Sequence, residues 1–171
     1  MKKAGNKNSW KIAIIGSFRQ HYDAVLSAWE IFTSKGHEVT SPHGKPILKD
    51  GIPFVRFSSD PEDLDDFAVQ SIALHRILRA DFVYVVVPKG YIGKTTCYEV
   101  GRIIQAKQPI FFSEKPEDLP LRVDSSRIIQ PEELAGKMDI HSWNPSSMFI
   151  EILHPHDELE RDLLYGRYKQ Y

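Results

Sequence analysis

Residues Asp81-Phe82-Val83-Tyr84-Val85-Val86-Val87 decide the fold. A strand with one wet face alternates apolar and polar side chains, and this run does not. It therefore reads as a strand buried on both faces, near the middle of a parallel sheet. Ile12-Ala13-Ile14-Ile15 upstream is a shorter run of the same kind, ended by Gly16. Between the two, Tyr22, Val25, Leu26, Trp29 and Phe32 recur at helical spacing, with Gly36 as the stop. His37-Glu38-Val39-Thr40 reads as a second strand, ended by Ser41-Pro42. Gln108-Pro109-Ile110-Phe111-Phe112 and the short Arg127-Ile128-Ile129 complete a set of about five.

Strands that alternate with helices build a parallel sheet with right-handed crossovers. The expectation is an α/β doubly wound sheet of about five parallel strands in the order 2-1-3-4-5, with a C-terminal helical extension. Residues 1–10 are expected to form a disordered or short N-terminal arm, 11–140 the α/β domain, and 141–171 the extension, packed on the domain or on a neighbouring subunit. Ile47 to Ile52, with Asp50-Gly51 inside, reads as a small hairpin flap. Asp60-Pro61-Glu62-Asp63 reads as a helix start with Asp60 as the cap, carrying Leu64, Phe67, Ala68, Ser71, Leu74 and Leu78 inward.

Composition narrows the function. The chain has 171 residues, 42% apolar and 26% charged, which is ordinary for one globular domain. A net charge of −1 leaves no global field for a nucleic-acid polymer or an acidic membrane. Cys97 is the single cysteine, so no internal disulfide and no cysteine-based zinc site can form. The N-terminus has charge but no apolar core, and no run reaches a membrane span of about 18 residues. A cytoplasmic protein without metal is the expectation. His154-Pro155-His156 lacks a spaced partner set and reads as surface loop.

In doubly wound sheets, ligands bind beyond the carboxyl ends of the strands, where the strand order reverses. Two loops meet there. Gly16-Ser17-Phe18-Arg19 offers close backbone approach, a hydroxyl and a guanidinium suited to phosphate or carboxylate. The same residues also suit a plain turn with a surface arginine. The second loop holds Gly90, Tyr91, Gly93, Lys94, Thr95 and Thr96, with hydroxyls beside a positive helix end. Its glycine spacing is not that of a nucleoside-triphosphate loop, and no Gly-x-Gly-x-x-Gly fingerprint occurs. Glu99 lies one turn into the following helix. It has two readings: a ligand-facing carboxylate, or the acid of a capping box with Thr96.

Gly90-Tyr91-Ile92-Gly93-Lys94-Thr95-Thr96-Cys97-Tyr98-Glu99-Val100-Gly101, followed by Lys107-Gln108-Pro109-Ile110, resembles the signature of the nucleoside 2-deoxyribosyltransferase family. That family includes the 2′-deoxynucleoside 5′-phosphate N-hydrolases. Gly16-Ser17-Phe18-Arg19 is similar to the phosphate loop of the hydrolase branch, and the resemblance spans roughly residues 11 to 113. It implies a flavodoxin-like fold and cleavage or transfer of an N-glycosidic bond through a glycosyl-enzyme on a glutamate, here Glu99. It also implies a small nucleoside or nucleotide substrate and no cofactor. The assembly would be a homodimer or larger homo-oligomer, with sites often completed across subunits; Tyr165, Tyr168 and Tyr171 could pack there or fray.

The chain departs from the family pattern at Ala73, where an aspartate is usual eight residues before Asp81. His75 is the candidate replacement acid, although two helix positions rotate a side chain by about 200°. Phe18 or Tyr22 would supply the family's aromatic near the first strand. Ala73 also favours the alternative reading, an inactive nucleotide-binding or sensing protein of the same fold.

Overall fold

A computed structural model of the chain describes residues 9–43, 46–47, 56–57, 60–121 and 123–146. In chain order these form β1 (Lys11–Gly16), α1 (Tyr22–Ser34), β2 (Glu38–Ser41), β3 (Pro46–Ile47) and β4 (Arg56–Phe57). Then come α2 (Asp66–Leu78), β5 (Phe82–Val86), α3 (Lys94–Gln105), β6 (Ile110–Phe112) and α4 (Pro131–Met138). Four strands make a parallel sheet in the order β2-β1-β5-β6. The pair β3-β4 is a separate antiparallel ribbon. The architecture is α/β and compatible with a flavodoxin-like fold. Asp50 and Gly51, read as the flap's turn, lie outside the described residues.

Every residue of β5 is buried, as its composition requires. Its alternate side chains feed two separate cores. Phe82 and Tyr84 join Ile12 and Ile14 of β1 beneath Val25, Ala28 and Phe32 of α1 and Leu134 of α4. Val83 and Val85 join Ala13 and Ile15 beneath Ile77 of α2 and Val100 and Ile103 of α3. Helices thus cover both faces of the sheet. Trp143 closes the first core edge-on to Phe82 and meets Trp10 at 5.2 Å between centroids. The remainder of the C-terminal extension, from 147 onward, lies outside the described residues. Among the described residues no helix is long and apolar enough to cross a membrane.

Three sequence expectations are corrected. The sheet has four strands rather than five, because residues 127–129 contribute a single parallel bridge, Phe112 to Ile128. Ser125–Arg127 is taken up in a 3₁₀ turn and Pro131 opens α4, which leaves no length for a strand between them. The short stretch is held by the Ile129 N–H, which donates to the Phe112 carbonyl at 2.8 Å, and by the buried Tyr84 hydroxyl, which donates to the Ile129 carbonyl at 2.9 Å.

Asp60 does not cap α2. The helix starts at Asp66, and Asp65 accepts the Ala68 N–H at 2.8 Å. Asp60 is engaged elsewhere, accepting the Phe57 N–H at 2.7 Å. Arg56 holds the intervening turn through the Leu64 carbonyl and the Asp66 carboxylate. The buried face carries Val69, Leu74 and Ile77, whereas Phe67, expected inward, is 84% exposed. Finally, α3 opens at Lys94 with Gly93 as its N-cap, so Thr96 does not hold the cap position that the capping-box reading of Glu99 requires.

The sheet fixes where the loops leave it. β1 and β5 pair in register up to Gly16 opposite Val86. A Cβ on Gly16 would lie 2.8 Å from the Val86 carbonyl oxygen, closer than real Cβ contacts allow. Gly16→Ala should therefore lower stability by about 1–3 kcal/mol in urea unfolding. Gly101→Ala, in α3 with nothing within 4 Å, should raise it by about 0.5–1 kcal/mol.

Candidate functional site

Because Gly16 and Val86 are registered neighbours, the loops that follow them leave the sheet side by side. A cavity of about 730 Å³ opens at that point. This lies within the range of roughly 300–1,000 Å³ usual for small-molecule sites. Its floor is Ile14, Ile15 and Gly16 of β1 with Ser41 of β2. One wall is α2, through Val69, Gln70, Ala73 and Ile77, extended by Asp60. The facing wall is Tyr91 to Thr96 and Glu99 of α3. Ser17 to Gln20 and Phe57 form the mouth, where Phe18 and Phe57 meet edge-on at 5.4 Å.

Of the residues singled out from sequence, Gly16, Ser17, Phe18, Arg19, Tyr91, Gly93, Thr95, Thr96 and Glu99 all line this cavity. Gly90 and His75 do not. Gly90 is buried at φ +78°, and a side chain there would run into Glu117, so its place is in the turn. His75 is exposed on α2, and its two-residue offset from Ala73 carries it off the cavity wall. Ala73 itself faces the cavity with a methyl group. Asp81 lies at the opposite end of the sheet, where its Oδ2 accepts the Lys11 N–H at 2.7 Å. Tyr22 opens α1 outside the lining.

The capping box is absent. Gly93, at φ +82°, is the N-cap of α3 and no side chain caps the helix. Thr96 is therefore already inside the first turn and buried. Among the described residues the Glu99 carboxylate has no hydrogen bond and no ion pair. Glu99 keeps part of its surface toward the cavity, while its carboxyl group is deep enough for loss of water to dominate. Burial pushes its pKa up to about 7. An unpaired acid facing a cavity is a feature of reactive sites more than of stable cores.

At the mouth, the Arg19 and Lys94 side chains are exposed and without an ion pair among the described residues. With Ser17, Thr95 and the N-terminal end of α3 they make a donor-rich rim suited to an anion. No group of three or more His, Cys, Asp or Glu among the described residues could hold a metal ion.

Sequence reading missed Asp60, Gln70, Phe57 and Ser41, because they reach the cavity through the α2 wall, the β3-β4 ribbon and the end of β2 rather than through the two loops. Only the acid-rich run before α2 drew attention to Asp60, and it suggested a cap. Comparison of the chain with protein-family models, with curated proteins and with solved structures finds no match.

The raised pKa of Glu99 makes a stability prediction with a definite sign. Between about pH 4.5 and 7 the folded chain holds a proton that the unfolded chain has lost. Its contribution is fully present below 4.5 and is lost as pH rises through 7. Glu99→Gln, a neutral isostere, should be more stable than the wild type near pH 8 by about 1–3 kcal/mol. Near pH 4 the two should be alike, as measured by urea unfolding at both values. Loss of stability at both would reveal a partner for the carboxylate.

Proposed function

We propose that this protein cleaves or transfers the N-glycosidic bond of a nucleoside or nucleoside monophosphate, with Glu99 as nucleophile. The observation that carries the proposal is the unpartnered, desolvated Glu99 carboxyl facing a sugar-sized cavity with a cationic rim. A Glu99 oxygen attacks the anomeric carbon, and the carbon–nitrogen bond breaks with its electron pair leaving on the base. The base takes a proton from water. Water then attacks the anomeric carbon of the glycosyl ester, giving the free sugar and restoring the carboxylate. A second base in place of water gives transfer.

Dehydration favours this chemistry at the nucleophile. A carboxylate stripped of water is a higher-energy ground state than a solvated one, and the oxocarbenium-like transition state brings positive charge toward it. Arg19, Lys94, Ser17 and Thr95 would take a 5′-phosphate at the mouth, which favours a monophosphate over a free nucleoside. Phe18 and Tyr91 offer aromatic surface to the base. A homo-oligomer and a cytoplasmic location belong to the same proposal.

One observation favours a second reading, a nucleotide-binding or sensing protein without turnover. Ala73 presents only a methyl group to the cavity, and His75 lies outside it.

Base release from a panel of nucleoside monophosphates decides between them. The enzyme reading expects release that Glu99→Ala lowers by at least about 100-fold. It also expects the rate to climb as pH rises and to level off above about 7, as the attacking carboxylate forms. Saturable binding without release supports the sensor, and neither binding nor release sinks both. A rate that falls through pH 7 would make Glu99 a proton donor and contradict the nucleophile assignment.

A further inference from the structure

The cavity contains a second carboxylate that the reaction above leaves unused. Asp60 lines the same space as Glu99, and its side chain is only 4% exposed. Its Oδ2 accepts the Phe57 N–H at 2.7 Å, and its Oδ1 lies 3.5 Å from Arg76 Nη1. Arg76 sits three residues beyond Ala73 on α2, on the same helix face. Asp60 and Ala73 both line the cavity, where Ala73 presents only a methyl group. Gln70, one turn further on, also lines it, and its amide has no hydrogen-bond partner among the described residues.

A carboxylate offers about four lone-pair positions, and the Phe57 amide and Arg76 occupy two. What remains accepts hydrogens and repels anions. Other lining residues have the reverse character: Arg19 and Lys94 are cationic, and Ser17 and Thr95 carry hydroxyls. The cavity lining therefore offers both an acceptor for hydroxyl groups and donors for an anion, the two ends of a sugar phosphate. Glycosidic chemistry needs the sugar fixed, because the anomeric carbon must meet the nucleophile at close range and in line.

We infer that Asp60 is a ligand-contacting residue that accepts hydrogen bonds from the sugar hydroxyls and so turns the anomeric carbon toward Glu99. This inference rests on the N-glycosidase reading of the same site. Its division of labour is one acid per wall: Glu99, unpaired, reacts, and Asp60, paired, holds.

The test is calorimetric binding of the common nucleoside 5′-monophosphates and of their 2′,3′-dideoxy counterparts to the wild type and to Asp60→Asn. Asparagine keeps a carbonyl oxygen for the Phe57 N–H. The wild type should bind at least one hydroxylated nucleotide about 10-fold or more tighter than its dideoxy form. Asp60→Asn should lose about 10- to 100-fold for the hydroxylated ligand and less than about 3-fold for the dideoxy one. Equal loss for both makes Asp60 merely structural and overturns the inference while leaving the glycosidase reading intact. Equal affinity of the wild type for both ligands overturns it in the same way, without any variant. Failure of the wild type to bind any of these nucleotides removes the parent reading and this inference together.

Discussion

The packing of β5 on both faces is the constraint from which the rest follows. A strand buried above and below needs two neighbours in its sheet and helices on each side. β1 and β6 supply the neighbours; α1 and α4 cover one face, and α2 and α3 the other. Register then does the work of positioning. Since Gly16 pairs opposite Val86, the chain segments leaving those residues cannot be far apart. A cavity between the two loops results from the sheet's geometry before any side chain is chosen to line it.

The parts of the fold that local sequence dictates were legible. The strand at 81–87, the helix ending before Gly36 and the two loops all follow from apolar periodicity and turn chemistry. What escaped depends on contacts across long stretches of chain. The segment 60–66 contains several aspartates able to cap a helix, and Asp60-Pro61 is locally as good as any. Asp65 takes the cap because Asp60 is drawn to Phe57 and to Arg76, sixteen residues away. Phe67, expected inward, stands in solvent because α2 packs through Val69, Leu74 and Ile77. The expected fifth strand is cut to a single bridge because the 3₁₀ turn at Ser125–Arg127 and the start of α4 at Pro131 leave it no length.

The candidate site was legible where it is made of loop residues and illegible where it is made of helix faces. Every loop residue singled out for it except Gly90 lines the cavity, as does Glu99. The α2 wall could not be read, because it depends on the rotation of that helix. Position 73 faces inward as a small methyl, and position 75 does not face inward at all. The two carboxylates differ in a way no motif records. Asp60 is satisfied by an amide and a guanidinium, whereas Glu99 has neither and is held against its own hydration. A fold that keeps such a group sacrifices stability at neutral pH and above, and function is the ordinary reason for that sacrifice.

Covalent capture of the intermediate tests the central claim most directly. A nucleoside monophosphate with fluorine at the sugar 2-position slows breakdown of a glycosyl ester by destabilising the oxocarbenium-like state. Intact and peptide mass spectrometry after incubation should show one added glycosyl phosphate, on the peptide containing Glu99 and on its carboxyl group. Base release with no adduct, or an adduct on any other residue, would contradict the account.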